Sequence, residues 1–257
     1  MPEAPVARRV LVALDALSRS EAALRTAGAL AAELDAELAG LFVEDADLAR
    51  LFALPFAREL CVLSGEVRPL SPDDLERNWR REAAMLEQRL AAAAGELRLR
   101  WSFRVRRGRM AAALSVDAPD FDLVVLGERS AALPQAPGVF RRGGPVLVPL
   151  DPGAGDDAVR LAARLARRSG AELVILVPSA DEPGFAAACQ GAARAAGADL
   201  SKVRCVRLQA LDRANLLRSA RDERASCLVL GGRARNLGSD EVLRLIERAG
   251  CPVVLTS

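Results

Sequence analysis

The stretch that decides the fold is Val146-Leu147-Val148-Pro149-Leu150-Asp151, a short apolar run that ends in an aspartate. It repeats Val10-Leu11-Val12-Ala13-Leu14-Asp15 near the N-terminus, and in both places a polar loop and an alanine-rich amphipathic segment follow. A repeat at this distance predicts one α/β unit written twice, with the second copy starting near residue 143.

Two further blocks match between the copies in the same order. Residues 23–41 align without a gap to residues 158–176, and their apolar positions coincide, which predicts the same buried helical stripe in both copies. Residues 122–127 (DLVVLG) correspond to residues 226–231 (SCLVLG). Continuous apolar runs without alternation are typical of parallel strands covered on both faces, so we expect a doubly wound α/β fold.

The composition is that of a globular chain without strong electrostatic bias. Its 257 residues suffice for two domains, each with its own core. The net charge of +2 provides no field for nucleic acid or a membrane surface. No apolar run approaches the roughly 18 residues of a transmembrane helix, and the N-terminus has no signal-peptide pattern. The five scattered cysteines are typical of small buried hydrophobes in a reducing compartment, so we predict a cytoplasmic protein.

Several side chains that enzymes rely on are absent from the sequence. The chain has no histidine, which excludes Ser-His-Asp and Cys-His catalysis and histidine metal sites. Its single lysine, Lys202, follows no glycine-rich loop, which excludes a Walker-type phosphate loop. We therefore predict a binding protein and not an enzyme.

Residues 44–70 have no equivalent in the second copy and are unusually apolar. Two interpretations are open: a flap packed on its own domain, or an exposed surface at residues 44–60 for a protein partner. Residues 71–74 predict the start of a long helix, with a capping serine followed by a proline. That helix has a buried stripe at Leu75, Trp79, Ala83, Leu86 and Leu90.

Residues 97–106 alternate between apolar residues and mostly arginines. This pattern predicts a half-solvated strand, which in a parallel sheet belongs at the edge. The arginine row has two interpretations: a surface for an acidic partner, or charges that discourage edge-to-edge pairing.

The second copy keeps an ending that the first lacks. Residues 128–144 are rich in proline and glycine and are interpreted as a linker, which gives domains at 1–140 and 141–257. After residue 231, a Gly-Ser-Asp sequence at 238–240 predicts a helix start, and residues 252–256 predict a final strand. The first copy has no counterpart of either element.

Taken together, these features resemble the universal stress protein family in its tandem form. The likeness rests on the strands that end in Asp15 and Asp151, the helix that leads into AEL and a strand, the DLVVLG strand, and the GS-helix-CPVVL ending. The resemblance implies two tandem parallel sheets of order 3-2-1-4-5 with helices on both faces, the first truncated after strand 4. It also implies that strand 252–256, without an internal counterpart, pairs with its copy in a second chain to give a homodimer.

Nucleotide-binding members of that family use the aspartate after strand 1, the end of strand 2, and a glycine loop after strand 4. The loop is spaced Gly-x2-Gly-x9-Gly-Ser/Thr and holds phosphates through backbone N–H groups. Carried onto the second copy, the resemblance implies a site of Asp151, Val177, Gly231, Gly232, Arg233, Gly238 and Ser239. The first copy keeps Asp15, Val43 and Gly127, but Glu128 follows and no Gly-Ser helix does, so we expect its site to be vestigial.

The second-copy loop departs from the family pattern, because Ala234 stands at the second glycine and the loop is short. In one interpretation, Arg233 and Arg235 replace the missing donors and the pocket binds ATP or AMP weakly. In the other, Gly231 ends a strand and Gly238-Ser239 caps a helix. Asp15 and Asp151 are equally typical of residues that stabilise a turn after a strand.

The resemblance implies a cytoplasmic stress-response or regulatory binding protein with no metal site evident. Two alternatives are a scaffold that acts only through protein partners and a slow ATP hydrolase. A hydrolase needs a metal-binding carboxylate pair, for which Asp156 and Asp157 are the nearest candidates, although acids are also typical of a helix start.

Overall fold

The computed structural model describes residues 8–16, 18–60, 64–129, 144–151, 156–197, 202–231 and 248–256. The strands are β1 (Arg9–Asp15), β2 (Ser18–Arg19), β3 (Glu37–Asp45), β4 (Arg58–Leu60), β5 (Val67–Pro69), β6 (Trp101–Gly108), β7 (Leu123–Leu126), β8 (Glu128–Arg129), β9 (Val146–Pro149), β10 (Leu173–Pro178), β11 (Val203–Leu208), β12 (Cys227–Leu230) and β13 (Val253–Thr256). The helices are α1 (Ser20–Leu34), α2 (Ala46–Phe52), α3 (Pro72–Leu97), α4 (Met110–Asp117), α5 (Asp157–Ser169), α6 (Glu182–Ala196) and α7 (Arg213–Asp222). Ala118–Asp120 forms a single 3₁₀ turn.

Nine strands form one continuous sheet in the order β11-β10-β9-β12-β13-β7-β1-β3-β6. The second half has the predicted order 3-2-1-4-5, and the described part of the first half has 3-2-1-4, which confirms the doubly wound α/β fold. Every neighbouring pair is parallel except β13 and β7. The two halves therefore share one sheet instead of forming the two separate sheets that were expected.

The joint between the halves is the antiparallel pairing of β13 with β7, in which Val254 lies opposite Val125 and Thr256 opposite Leu123. On its other side β13 pairs with β12. Both edges of the strand are thus occupied within the chain. The prediction that residues 252–256 pair with their copy in a second chain is wrong here, because β12 and β7 occupy both edges of β13, and no fifth strand of the first half lies beside β7 in the described part of the chain.

Helices cover both faces of the sheet, and the core on each face runs through both halves. One core cluster packs the sheet against α1, α3, α5 and α6, and the other packs it against α4, α7 and Ala249. Near the joint, α1 packs on α5, and Arg168 pairs with Glu33 at 3.6 Å. None of the helices in the described ranges is long and apolar enough to cross a membrane.

Helix α3 begins where the sequence predicts. The hydroxyl of Ser71 accepts from the backbone N–H of Asp74, Pro72 is the first helical residue, and the predicted stripe is buried together with Ala94. The helix ends later than expected, because Arg98 caps it in a left-handed conformation (φ 54°). The edge strand therefore begins at Trp101 and not at Leu97.

The insertion at residues 44–70 contains α2 and the β4–β5 hairpin, and its apolar residues divide into two sets. Leu48, Ala49 and Phe52 are partly buried against the main core, as a packed flap requires. A second set is exposed, with Phe56 reaching 75%: Leu51, Leu54, Phe56, Leu60 and Val67. The flap interpretation therefore holds for one side of α2, whereas Leu51 on the same helix and the apolar residues after the helix are exposed.

Strand β6 lies at the sheet edge, as predicted, and acidic groups of the same chain bind its arginines. Arg104 and Arg106 both contact the buried carboxylate of Asp117, and Arg106 Nη2 donates to it at 2.9 Å. Arg107 pairs with Glu44 at 2.9 Å and with Glu76 at 3.4 Å. These intramolecular pairs support the interpretation in which the row is structural and needs no acidic partner.

Candidate functional site

The second half brings three of the predicted site residues to the carboxyl end of its strands. Strand β9 lies between β10 and β12, and Leu150 N–H donates to the carbonyl of Leu176 at 2.8 Å. The register therefore places Val177 and Gly231 on either side of the chain just before Asp151. The order of the strands reverses between β9 and β12, and open α/β sheets bind ligands at such a point.

Gly231 packs against two other elements at this end of the sheet. A Cβ atom on Gly231 would lie 2.8 Å from the Cβ of Ala158 and 2.8 Å from the hydroxyl of Thr256. Gly231 therefore allows β12, the first turn of α5 and the end of β13 to meet. This close packing supports the structural interpretation of Gly231, and it also brings the N-terminus of α5 to the predicted site.

Helix α5 begins without a side-chain cap among the described residues. Its N-cap is Asp156, whose side chain makes no capping hydrogen bond, whereas α3, α6 and α7 have side-chain caps from Ser71, Asp181 and Asp212. Uncapped first-turn N–H groups, together with the helix dipole, favour an anion. Asp157, in the first turn, instead disfavours one, and its carboxylate accepts from Arg160 at 3.2 Å.

The corresponding residues of the first half also converge. Asp15 lies opposite Val43 in the β1–β3 register, and Gly127 N–H donates to the carbonyl of Ala13 at 3.5 Å. Asp15 and Asp151 are both buried carboxylates, with 5% and 7% exposure. The residues of each predicted cluster are therefore neighbours at the strand ends, and their role in binding stays a prediction.

In the first half, a short antiparallel pair of strands lies across the switch point, the place between β1 and β7 where the order of the strands reverses. The loop after β1 contains β2, the chain after β7 contains β8, and these pair antiparallel, with Ser18 opposite Arg129 and Arg19 opposite Glu128. Main-chain pairing thus occupies the space between β1 and β7 in which a ligand of an open α/β sheet would lie. Because β13 and β7 are antiparallel, the two candidate sites also lie at opposite ends of the sheet.

The remaining predicted site residues, Gly232, Arg233, Arg235, Gly238 and Ser239, lie outside the described residues. Asp156 and Asp157, the candidate carboxylate pair, occupy the start of α5. Within the described ranges, no group of three or more acidic or cysteine side chains is arranged to hold a metal ion.

A cavity of about 620 Å³, which the sequence did not predict, lies between α1, α3 and α5. Charged side chains line it: Glu21, Arg25, Arg89, Glu96 and Arg168. Helices from both halves form its walls, so no local sequence pattern signals it. None of the residues that line it belongs to the candidate site.

No family model matches this sequence, and no curated protein matches it either. Among solved structures, the chain is similar to a universal stress protein from Archaeoglobus fulgidus, with 16% identity, a TM-score of 0.53, and coverage of 96% of this chain and 98% of that one. A universal stress protein in complex with cAMP is 27% identical over 45% of this chain and 99% of its own, with a TM-score of 0.35. Another from Archaeoglobus fulgidus, in complex with dAMP, is 20% identical over 45% of this chain and 99% of its own, with a TM-score of 0.34.

The first of these similarities extends over nearly the whole of both chains and agrees with the mostly parallel sheet and its alternating helices. The fold of this chain is similar to that of the universal stress proteins.

Proposed function

We propose that this chain is a cytoplasmic regulatory binding protein of the tandem universal-stress type, which binds an adenine nucleotide weakly through its second half and catalyses no reaction. The fold similarity over nearly the full length supports the type.

The start of α5 beside Gly231 is the observation that carries the nucleotide proposal. Among the described residues no side chain caps this helix, and its first backbone N–H groups at the carboxyl end of β12 are suited to a phosphate. The carboxylate of Asp151, at the end of β9, is an acceptor suited to the hydroxyl groups of a ribose. The phosphate and the sugar thus have separate partners on adjacent elements.

The first half supports no equivalent site. The β2–β8 pairing crosses its switch point, and the sequence has an acidic residue, Glu128, in place of the glycine-rich phosphate loop, which disfavours phosphates. We therefore propose one nucleotide per chain, bound in the second half.

Calorimetric titration of the full chain with AMP and with ATP tests this proposal, alongside native mass spectrometry for a nucleotide that co-purifies. Asp151→Asn is expected to weaken binding about tenfold, the loss of roughly one charge-assisted hydrogen bond. Asp15→Asn is the matched control, since it makes the same change at the equivalent buried position, and should leave binding unchanged. No binding at millimolar nucleotide, or equal loss in both variants, would contradict the proposal.

The same samples distinguish a binding protein from a slow ATP hydrolase. We expect no release of phosphate above that of a buffer blank during prolonged incubation with ATP and Mg²⁺. Turnover that disappears in Asp151→Ala would instead favour the hydrolase, with the carboxylate taking part in the reaction.

A second candidate function is a protein-binding role for the hairpin region of the insertion. The exposed residues Leu54, Phe56 and Leu60 favour it, because adjacent large apolar side chains in water are typical of an interaction surface. Capture of a partner by the full chain should be lost in Phe56→Ser and retained in Val116→Ser, a variant at another exposed apolar position. If both variants capture the same proteins, or neither does, the surface has no such role.

A further inference from the structure

Two cysteines of the second half come together between α6 and the edge strand β11. Cys189 on the helix and Cys205 on the strand pack against the same core cluster, and both are half-buried. On the same pair of elements, the guanidinium of Arg207 lies over the ring of Phe185 at 5.8 Å, and Arg207 donates to Glu182 at 3.1 Å.

The Phe185–Arg207 contact fixes the alignment of the two elements. Because α6 connects the parallel strands β10 and β11, it runs antiparallel to β11. Cys189 lies four residues after Phe185 along the helix, a distance of about 6 Å. Cys205 lies two residues before Arg207 along the strand, a distance of about 6.6 Å, and on the same face. The matching steps place the two side chains next to each other against the same core cluster, close enough for the Cys189 thiol to influence the pKa of Cys205.

A second pair of thiols, Cys227 and Cys251, differs from the first in two respects. These two also interact electrostatically, but each is only 2% exposed, and they belong to the cores on opposite faces of the sheet. An oxidant in solvent therefore reaches the first pair and not the second. The two pairs provide a comparison inside one chain.

We propose that Cys189 and Cys205 are a modification site, a dithiol that a peroxide converts into an intramolecular disulfide linking α6 to β11. The sulfur of Cys189 attacks one peroxide oxygen, so an S–O bond forms while the O–O bond breaks and water leaves. The sulfur of Cys205 then attacks the resulting sulfenic acid, the S–S bond forms, and a second water carries away the oxygen and the proton of Cys205. The two thiols supply the two electrons that reduce the peroxide.

The order of the two steps follows from the environment of Cys205. Burial and the neighbouring thiol raise the pKa of Cys205 to about 12, so that it remains protonated at neutral pH. Because the thiolate is the nucleophile, a protonated Cys205 is the poorer first attacker, and we assign it as the resolving thiol.

Peptide mapping of the full chain tests the proposal. The protein, with Cys61→Ser to remove the cysteine outside the described residues, is treated with hydrogen peroxide, blocked with iodoacetamide and digested with trypsin without reduction. Cleavage after Arg194 and Arg204 separates the two cysteines into different peptides. We expect a linked 189–205 peptide pair that dithiothreitol separates, at least about tenfold more abundant than a linked 227–251 pair.

Two variants distinguish this chemistry from unspecific oxidation. Cys205→Ser should abolish the link and leave Cys189 as a sulfenic acid that dimedone traps, whereas Cys227→Ser should leave the 189–205 link intact. If the native chain keeps both thiols free after peroxide treatment, or if the linked pair forms only after denaturation with urea, the inference is wrong. The first of these results needs no variant and is independent of how the variants fold.

Discussion

Val254 in the last strand lies opposite Val125 in the first half of the sheet, and both side chains are fully buried. One strand of the second half thus completes the sheet of both halves. Read from edge to edge in the local numbering of each half, the strand order is 3-2-1-4-5-4-1-2-3, with β13 in the middle. The antiparallel joint relates the halves by an approximate twofold axis normal to the sheet. A chain with two complete copies would have a second fifth strand at this position.

The first prediction is that a change in β13 destabilises the first half. Val254→Ala removes two buried methyl groups next to Val125 and is expected to lower the free energy of unfolding by about 2 kcal/mol. Both tryptophans, Trp79 and Trp101, lie in the first half, so urea unfolding followed by their fluorescence reports on that half alone. We expect the urea concentration at the midpoint of unfolding to decrease by the same amount whether it is measured by tryptophan fluorescence or by circular dichroism.

Val116→Ala is the matched control, because it makes the same change at a residue of α4 that is 62% exposed. It should shift neither midpoint by more than about 0.5 kcal/mol. If Val254→Ala left the fluorescence transition where it is, the halves would unfold independently and the shared strand would not couple them.

The second prediction concerns two glycines with opposite expected effects. Gly231→Ala places a methyl group 2.8 Å from Ala158 of α5, which has no flexible side chain to move aside, and should cost about 1–3 kcal/mol. Gly191→Ala, inside helix α6, meets no atom within 4 Å and should stabilise the protein by about 0.5–1 kcal/mol. Thermal unfolding measures both. Two shifts of the same sign would show that Gly231 is not held by close packing.

The sequence predicted those parts of the fold that leave a local pattern. A strand buried on both faces must be apolar throughout, as Val146 to Pro149 is, and Ser71-Pro72 marks a helix start by its own chemistry. The predicted start of the edge strand at Leu97 is wrong, because the alternation of apolar residues begins at the last residue of the helix and continues into the strand. Only the left-handed conformation of Arg98 shows that the helix has ended there and that the strand starts later.

What the sequence could not predict depends on contacts between distant positions. The pairing of β13 with β7 joins residues more than a hundred positions apart, and no pattern in either strand specifies a partner. In the candidate site, the strand ends placed Asp151, Val177 and Gly231 correctly. The close approach of Gly231 to Ala158 and Thr256 follows from packing among three elements, and no motif encodes it.

The third prediction is a loss of stability in acid that depends on Arg204. Hydrogen bonds from Arg204 hold the pKa of Glu223 below its ordinary value of 4.5. The folded carboxylate therefore binds a proton less readily than the unfolded one does, and its contribution to stability is complete above pH 4.5 and lost as the pH falls through the folded pKa. Arg204→Gln should cost on the order of 1 kcal/mol at pH 6, since both side chains are partly exposed, and progressively less below pH 4.5.

Arg218→Gln on α7 is the control for this experiment, because it removes the same charge from an exposed helical position. Its effect on the free energy of unfolding should be small and nearly constant with pH. A difference between the wild type and Arg204→Gln that grows on acidification would have the wrong sign and would contradict the assignment to Glu223.

The fourth prediction is that Asp117 contributes more to the free energy of unfolding than its position at the end of a short helix suggests. Its carboxylate is buried, yet it receives the guanidinium groups of Arg104 and Arg106 from the edge strand. Asp117→Asn keeps the shape but removes the charge, which leaves two cations beside a buried amide and is expected to cost about 1–3 kcal/mol. Urea unfolding at neutral pH measures the loss.

Asp157→Asn makes the same change in a carboxylate that is 81% exposed and paired with Arg160 three residues away. Such a surface pair contributes about 0–1 kcal/mol to the free energy of unfolding, and 0.5 M salt should screen that contribution. The destabilisation by Asp117→Asn should persist in salt, because solvent ions do not reach a buried carboxylate. Equal losses in the two variants would mean that the arginines of β6 gain little from Asp117. The arginine row would then be available to an acidic partner, the interpretation that its intramolecular pairs argue against.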